Sequence, residues 1–386
     1  MKNFQVLNCI TGLNIGGAEL MLARFARSLL STEYEAKVLS LMPRGSVVGA
    51  MLDNDGVPVE TLRMNEGRPS FQAFARLRAT VRKTGCDIVH GWMYHGNVAA
   101  SLAAYLDRKQ PVIWSIHHSI DDITAEKRLT RMIIRLLARM SASTSAISYC
   151  SSVSAQQHEE LGFDPSKRVI IPNGIDCDEF QPRADARSRL CSTFGIPTDR
   201  LIIGNIARAH PMKNHEGFAR TVARLYHDGY NVHGLIIGAG HEEGPARRVA
   251  RELGIDDRLA TPGPRSDIAD LLPGLDVFLL SSAWGEAFPL SVAEAMASGV
   301  PAVATDVGDC AWLVGDHTMI SKPKDPEAQA AVLRNHFDLM PAERRERGMA
   351  GRTRILQNFS IRKYTDSHIQ LYEAALAGRH RDGSGG

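Results

Sequence analysis

The chain has no long apolar run: nowhere in its 386 residues is there a stretch approaching the roughly 20 consecutive apolar positions of a membrane-spanning helix. Paired cysteines are missing too. Cys9, Cys86, Cys150, Cys177, Cys191 and Cys310 include no C-x-x-C and lie near no histidine at zinc spacing, which argues against a disulfide frame or metal site and for reduced thiols. The opening MKNFQVLNCITGL is interrupted by Asn8 and Asn14 and carries no cleavage site, so a secretory leader is not expected. A net charge of +2 is too small to argue for nucleic acid as a partner. There is no internal repeat. These absences leave a cytoplasmic chain, soluble or peripheral to a membrane.

The length exceeds what one core comfortably organises, and a hydrophobic content of 44% is ample for two. Charge is unevenly spread: residues 1–176 carry 20 Lys and Arg against 16 Asp and Glu, and the remainder 25 against 27. A mildly basic first half suits an anionic acceptor or membrane surface.

Hydrophobic patterning predicts strands at 4–10, 36–41, 88–90, 112–116, 145–148 and 169–171, with helical segments between them, the first at about 18–30. This alternation indicates an α/β fold with a doubly wound parallel sheet, ending near Asp176. Polar, proline-containing sequence over 177–200 reads as a linker with one short helix. A second alternation follows, with strands at 201–206, 232–237, 259–261, 277–280 and 302–304. Two such Rossmann-like domains would bind ligands outside the carboxyl ends of their strands, across a shared crevice.

The segment SSAWGEAFPLSVAEAMASGVPAVAT concentrates the chemistry. A buried strand ends at Leu280, Pro289 suits a first helical position because it has no N–H to leave unpaired, Gly299 stops the helix and Pro301 opens the next strand. Free N–H groups at that helix start, around Phe288, Pro289 and Leu290, are suited to a phosphate. Glu286 lies in the loop above it, and Glu294, seven intervening residues on, is placed to accept from a ribose diol. Arg208 and Lys213, in the loop after the strand IIGNIA, would neutralise charge on a departing diphosphate. Gly16 and Gly17 sit between the first strand and first helix, where backbone amides can approach a phosphate or sugar. His117 ends the strand VIWSI, and His118 alternates away from it. His90, Trp92, Tyr94 and His95 follow another strand end as candidates for a sugar face or acceptor hydroxyl, with packing of Trp92 into the first domain an equal alternative.

In joint order, the glycine pair in TGLNIGGAE, His117, the turn IPNGID, Arg208 and Lys213 in NIARAHPMKN, the E-x7-E pair Glu286 and Glu294, and the closing FSIRKY resemble the retaining nucleotide-sugar glycosyltransferases of family four. The likeness runs nearly end to end. It implies the GT-B fold, with residues 361–376 as a helix crossing back onto an acceptor-side first domain and 177–360 as the donor domain; the polar, glycine-containing end, 377–386, reads from its composition as a disordered tail. It also implies a metal-independent enzyme of hexosyltransferase type that needs no cofactor beyond its donor, a UDP-sugar ahead of a GDP-sugar. The acceptor would be a glycan or lipid-linked intermediate of cell-surface polysaccharide or glycolipid synthesis. Within it, Arg208, Lys213, Glu286 and His117 would serve catalysis, with neutral His117 donating a hydrogen bond to the transferred sugar. Gly16, Gly17, Arg265, Phe288, Pro289, Leu290 and Glu294 would hold the donor, Arg265 through its backbone beside the base. Ala207 and Ala287 stand where relatives more often have glycine. Two further readings compete: a nucleotide-sugar epimerase on the same fold, and a non-catalytic, membrane-bound scaffold for nucleotide sugar.

Arg128, Arg131, Arg135 and Arg139 recur at helical spacing opposite Leu129, Met132, Ile133, Leu136, Leu137 and Met140. Such a basic amphipathic helix is compatible with anionic lipid at the inner face of the cytoplasmic membrane, and equally with plain packing on the sheet. Asp176 and Asp178 spell D-x-D but follow the turn PNGI and read as turn residues. Gly238 and Gly240 lack the third glycine and the closing acidic residue of a dinucleotide fingerprint.

Overall fold

The computed structural model describes residues 4–45, 47–64, 71–107 and 110–382. Two compact units divide the chain: Met1–Gly174 together with Ile361–Gly386, and Ile175–Ser360. The first unit therefore ends two residues ahead of Asp176.

Its sheet contains β1 (Phe4–Ile10), β2 (Tyr34–Ser40), β3 (Val59–Thr61), β4 (Ile88–Trp92), β5 (Val112–Ile116), β6 (Ala146–Tyr149) and β7 (Arg168–Ile170). They run parallel in the order β3-β2-β1-β4-β5-β6-β7, with Phe4 opposite Tyr34 and Val6 opposite Ile88. A sheet covered on both faces buries successive residues of its strands, as it does Val6 to Ile10 of β1 and all of β4, with the polar Asn8 and His90 among them. Leu7, Cys9, Leu39, Val89, Ala100 and Ala103 fill one core; Trp114, Ile116, Ile134, Leu137, Ile147 and Tyr149 fill another.

The helix Ile361–Asp382 belongs to this unit because Tyr364, His368 and Tyr372, spaced by four residues, form one buried face. Phe25 packs on the rings of Tyr364 (5.5 Å) and His368 (5.0 Å), and Tyr372 hydroxyl lies 2.7 Å from His90 Nδ1. This helix continues past residue 376 to Asp382, so residues 377–382 are helical where a tail was expected; residues 383–386 lie outside the described residues.

The second sheet contains β8 (Leu201–Ile206), β9 (Val232–Ile237), β10 (Leu259–Gly263), β11 (Val277–Leu280), β12 (Ala302–Thr305) and β13 (Ile320–Ser321). All its pairings are parallel, in the order β10-β9-β8-β11-β12-β13. Strand order grows outward in both directions from β8 and β11, so the topological switch falls between them. The corresponding switch in the first unit lies between β1 and β4. All six cysteines are buried, with no disulfide between them. Among the described residues no helix is long and apolar enough to cross a membrane.

Candidate active site

The loops after β8 and β11 both emerge at the switch of the second unit, where open parallel sheets bind ligands. They are tied together. Ala283 donates its N–H to Met212 carbonyl (2.7 Å), and Ser281 hydroxyl donates to the carbonyls of Lys213 (2.9 Å) and Asn214 (3.2 Å). On this frame Lys213 Nζ reaches Glu286 Oε1 at 2.6 Å, and Ser282 hydroxyl donates to the same oxygen at 2.5 Å. Glu286 is buried. Lys213, expected to meet a departing diphosphate, thus also pairs with Glu286: a low-dielectric site leaves neither charge alone, and the two neutralise each other. An ammonium has three donors, so Lys213 can bridge Glu286 and a phosphate oxygen at once.

Arg208 is exposed in the same loop, and among the described residues it has no ion-pair partner. Gly308 presses on the far side of Glu286. Its φ is +55°, and a Cβ there would lie 1.6 Å from Glu286 carbonyl oxygen, so only glycine fits.

The helix after Glu286 is Leu290–Ala297, and Pro289 is its cap rather than its first residue, with φ −74° and ψ 101°. Pro289 carbonyl accepts from the N–H of Val292 (3.1 Å) and Ala293 (3.3 Å), which leaves Leu290 and Ser291 to lead the helix. Phe288 turns inward onto Phe359 (5.5 Å), so any contact it makes with a ligand falls to its backbone. Glu294 is half-buried in the second turn. Arg265 follows β10, two strand positions from β8, and its guanidinium is held by Asp267 through two bonds of 2.8 and 2.6 Å. No side-chain contact joins it to Glu286 or Lys213.

In the first unit, Gly16 is the extended cap of the helix Gly17–Leu29, which starts one residue earlier than expected. A side chain at Gly16 would meet Glu19 Oε2 at 2.2 Å, so the bare backbone makes room for a carboxylate of the chain itself. Burial raises Glu19 above its ordinary value.

His117 follows β5. Its ring is stacked on Trp92 at 5.2 Å with an interplanar angle of 3°, Nδ1 lies 2.8 Å from Asn173 Oδ1, and Nε2 is buried with no partner. Burial pulls the imidazole down to about 4, against the upward pull of the Asn173 bond. His118 instead meets Glu126 at 2.9 Å.

Three of the aromatic acceptor candidates are core residues. His90 is held between Tyr372 and Ser115 hydroxyls (2.7 Å each), Trp92 Nε1 donates to Asn8 (3.0 Å), and Tyr94 hydroxyl meets His158 (2.9 Å). The reason is that β4 runs on to Trp92, two residues past the expected strand end, so these side chains belong to the sheet and its flanking helix. Only His95 stays half-buried. Asp176 accepts from the N–H of Asp178 and Glu179 (3.1 and 3.0 Å), a turn as expected.

Sequence reasoning passed over Ser282, Asn173, Gly308 and Trp284. The last is 41% exposed, two residues before Glu286, with Lys324 Nζ 5.5 Å from its ring. Its signal was an aromatic inside the glutamate loop.

Two doubly wound parallel sheets, one to each unit, have the architecture of the GT-B class of α/β proteins. Residues 15–179 match the family model for Glycosyltransferase Family 4, and residues 190–352 match that for Glycosyl transferases group 1. The chain belongs to the family-four-like GT-B glycosyltransferases. It is 25% identical over 324 residues to the putative glycosyltransferase EpsF of Bacillus subtilis, covering 78% of this chain and 79% of that one. It is 32% identical over 261 residues to the MMP alpha-(1->4)-mannosyltransferase of Mycolicibacterium hassiacum, covering 66% and 57%. It is 25% identical over 242 residues to the UDP-Gal:alpha-D-GlcNAc-diphosphoundecaprenol alpha-1,3-galactosyltransferase of Escherichia coli, covering 61% and 62%. The match thus spans about three-fifths of the length of the last two. Among solved structures, Anabaena Alr3699/HepE in complex with UDP and glucose superposes with a TM-score of 0.83 at 19% identity, over 96% of this chain and 100% of that one.

Proposed function

We propose that this chain is a metal-independent retaining glycosyltransferase of hexosyltransferase type, moving a sugar from a nucleotide-diphosphate donor, a UDP-sugar ahead of a GDP-sugar, to an acceptor hydroxyl. The observation that carries the reading is Lys213 bridging to buried Glu286 at the switch of the second unit, with Arg208, which has no ion-pair partner among the described residues, in the same loop. As the bond from anomeric carbon to diphosphate oxygen lengthens, the ring gains positive and the diphosphate negative charge. Arg208, Lys213 and the leading amides of the helix Leu290–Ala297 stabilise the departing anion. Glu286 holds sugar hydroxyls and Glu294 the ribose. The acceptor oxygen bonds to the anomeric carbon on the face the leaving group vacates, its proton passes to the departing phosphate, and the products are a nucleoside diphosphate and a glycoside of unchanged configuration.

The acceptor is a glycan or lipid-linked intermediate of cell-surface polysaccharide or glycolipid synthesis. Two features support this: one relative is named for a diphosphoundecaprenol acceptor, and the helix Arg128–Met140 turns arginines and apolar side chains to solvent together. The chain then works at the inner face of the cytoplasmic membrane.

A thermal-shift panel of UDP- and GDP-sugars tests the donor: a ligand at a hundred times its dissociation constant stabilises by about 2.7 kcal/mol. Silence across the panel sinks the reading. With donor alone, free nucleotide and unaltered sugar indicate a transferase, whereas an altered sugar indicates the epimerase. A Glu286→Gln variant that binds nucleotide but has lost turnover excludes the scaffold.

A further inference from the structure

The loop that carries Arg208 is sewn to the loop that follows β9. Ala207 donates its N–H to Ile237 carbonyl at 3.1 Å, and Ala209 donates to Ala239 carbonyl at 2.8 Å. Arg208 sits between these two anchors with its own side chain exposed. A third bond closes the seam from the opposite direction: His241 Nε2 lies 2.8 Å from Ala207 carbonyl oxygen. A carbonyl only accepts, so Nε2 carries the proton and Nδ1 is bare. Nδ1 is buried and has no hydrogen-bond partner among the described residues, so the bond to Ala207 is what the imidazole is there to make.

Gly238 and Gly240, which complete no dinucleotide fingerprint, have their use in this seam. A Cβ on Gly238 would strike Ala207 carbonyl oxygen, the acceptor of the His241 bond, and one on Gly240 would press on Ala209 Cβ at 3.1 Å. Bare backbone lets the two loops come close enough to bond.

His241 is braced in turn. It is fully buried, and its ring meets that of His215 edge-on, with centroids 4.4 Å apart at 73°. His215 opens the helix His215–His227, two residues after Lys213. Its Nε2 lies 3.2 Å from Asn205 Oδ1 in β8, and the Asn205 amide donates to Leu279 carbonyl in β11 at 2.7 Å. The brace behind Arg208 therefore ends on the two strands that flank the switch. An arginine on a loose loop must give up backbone freedom to meet an anion; a loop already fixed has less to give up.

We propose that His241 is a positioning residue whose Nε2–H bond to Ala207 carbonyl fixes the backbone of Arg208, so that the guanidinium is presented to the diphosphate at the switch of the second unit. This rests on the donor reading above and adds to it a residue that touches no substrate.

Long-range proton–nitrogen NMR of the 15N-histidine-labelled full chain, with His241→Gln identifying the signal, should show a protonated Nε2 and a bare Nδ1; a protonated Nδ1 overturns the proposal. His241→Phe keeps a ring and removes the donor. Amide hydrogen exchange at Ala209 should then quicken by about fivefold, the worth of one hydrogen bond, while amides inside β8 keep their wild-type rates. Unchanged exchange at Ala209 overturns the proposal. Affinities for UDP and GDP are measured by calorimetry in wild type, His241→Phe, Arg208→Ala and the double variant, the tighter nucleotide carrying the comparison. His241→Phe should bind about fivefold more weakly, and the same substitution should cost nothing further once Arg208 is alanine. An equal loss in both backgrounds, as a general structural defect would give, overturns the positioning role, and so does no loss in either. A wild-type chain that binds neither nucleotide sinks the donor reading and the proposal with it, whereas the wrong tautomer or unchanged exchange overturns the proposal and leaves the donor reading standing.

Discussion

Lys213 Nζ and Glu286 Oε1 stand 2.6 Å apart and close a contact between loops 73 residues apart in sequence. Arg208, five residues before Lys213, makes no such pair among the described residues, and the two cations therefore differ in what their loss does. Lys213→Ala leaves a carboxylate of 6% exposure with the Ser282 hydroxyl still donating to it, and should cost about 3 kcal/mol of stability as well as activity. Adding Glu286→Gln to that variant should return much of the stability and none of the activity. Arg208→Ala should leave urea unfolding unchanged and lower kcat by about a hundredfold or more, as the loss of one preorganised donor does. Unfolding curves and donor turnover of the full chain check all three.

Gly308 supports Glu286 from behind. Gly308→Ala combines an unfavourable φ of +55° with a collision against Glu286 carbonyl. Gly254→Ala has the same backbone cost, at φ +68°, with nothing within 4 Å. Both should lose about 1 kcal/mol or more through the backbone, but only Gly308→Ala should weaken nucleotide-sugar binding beyond its stability loss. Equal binding by the two variants would show that the Glu286 loop tolerates displacement.

Much of this was legible from periodicity. β1, β5, β8, β9 and β11 begin and end where apolar runs do. β3 and β13, three and two residues long, escaped because VET and IS carry too few apolar positions to register. Strand order left no local trace, so the convergence of the β8 and β11 loops came only through the residue chemistry of Arg208, Lys213 and Glu286. Pairing of Lys213 with Glu286 was hidden for the same reason. Of the two readings open for Trp92 the structure takes the packing one, because β4 runs two residues past the expected strand end and carries the ring into the core. In the helix Arg128–Met140 the spacing was read correctly but the faces were not. Ile134, Leu137 and Ala138 are buried, whereas Leu129, Met132 and Leu136 point to solvent beside the arginines.

Acid should destabilise the first unit through histidines that are neutral when folded. Burial holds His117 and His158 at about 4 and His368 at about 3. Unfolded, each binds a proton near 6.5. Between about 6.5 and 4 the unfolded chain therefore carries the extra protons, and stability falls as pH falls, by about 1.4 kcal/mol per pH unit for each histidine. Above 6.5 these groups contribute no slope. Urea unfolding at pH 8, 6 and 5 should show the decline, and His368→Gln should remove one histidine's share of it; an identical slope in that variant would mean His368 is already protonated in the folded chain.

The outward face of the helix Arg128–Met140 distinguishes the two readings of its periodicity. Packing on the sheet needs only Ile134, Leu137 and Ala138, and leaves Leu129 at 44%, Met132 at 67% and Leu136 at 45% exposure unexplained. Arg128, Arg135 and Arg139 are exposed alongside them. Under the proposed reading, anionic lipid would answer both features: headgroups would take the guanidinium groups, each contributing about 1 kcal/mol, while the apolar side chains would enter the acyl boundary. Co-sedimentation with phosphatidylglycerol-containing liposomes should therefore fall when the four arginines become glutamine, and the remaining binding should lose its salt dependence. Replacing Leu129, Met132 and Leu136 with serine should weaken binding while leaving salt dependence in place. Neither set touches the buried face, so stability should hold in both; unchanged sedimentation of the arginine variant would assign the stripe to solubility alone.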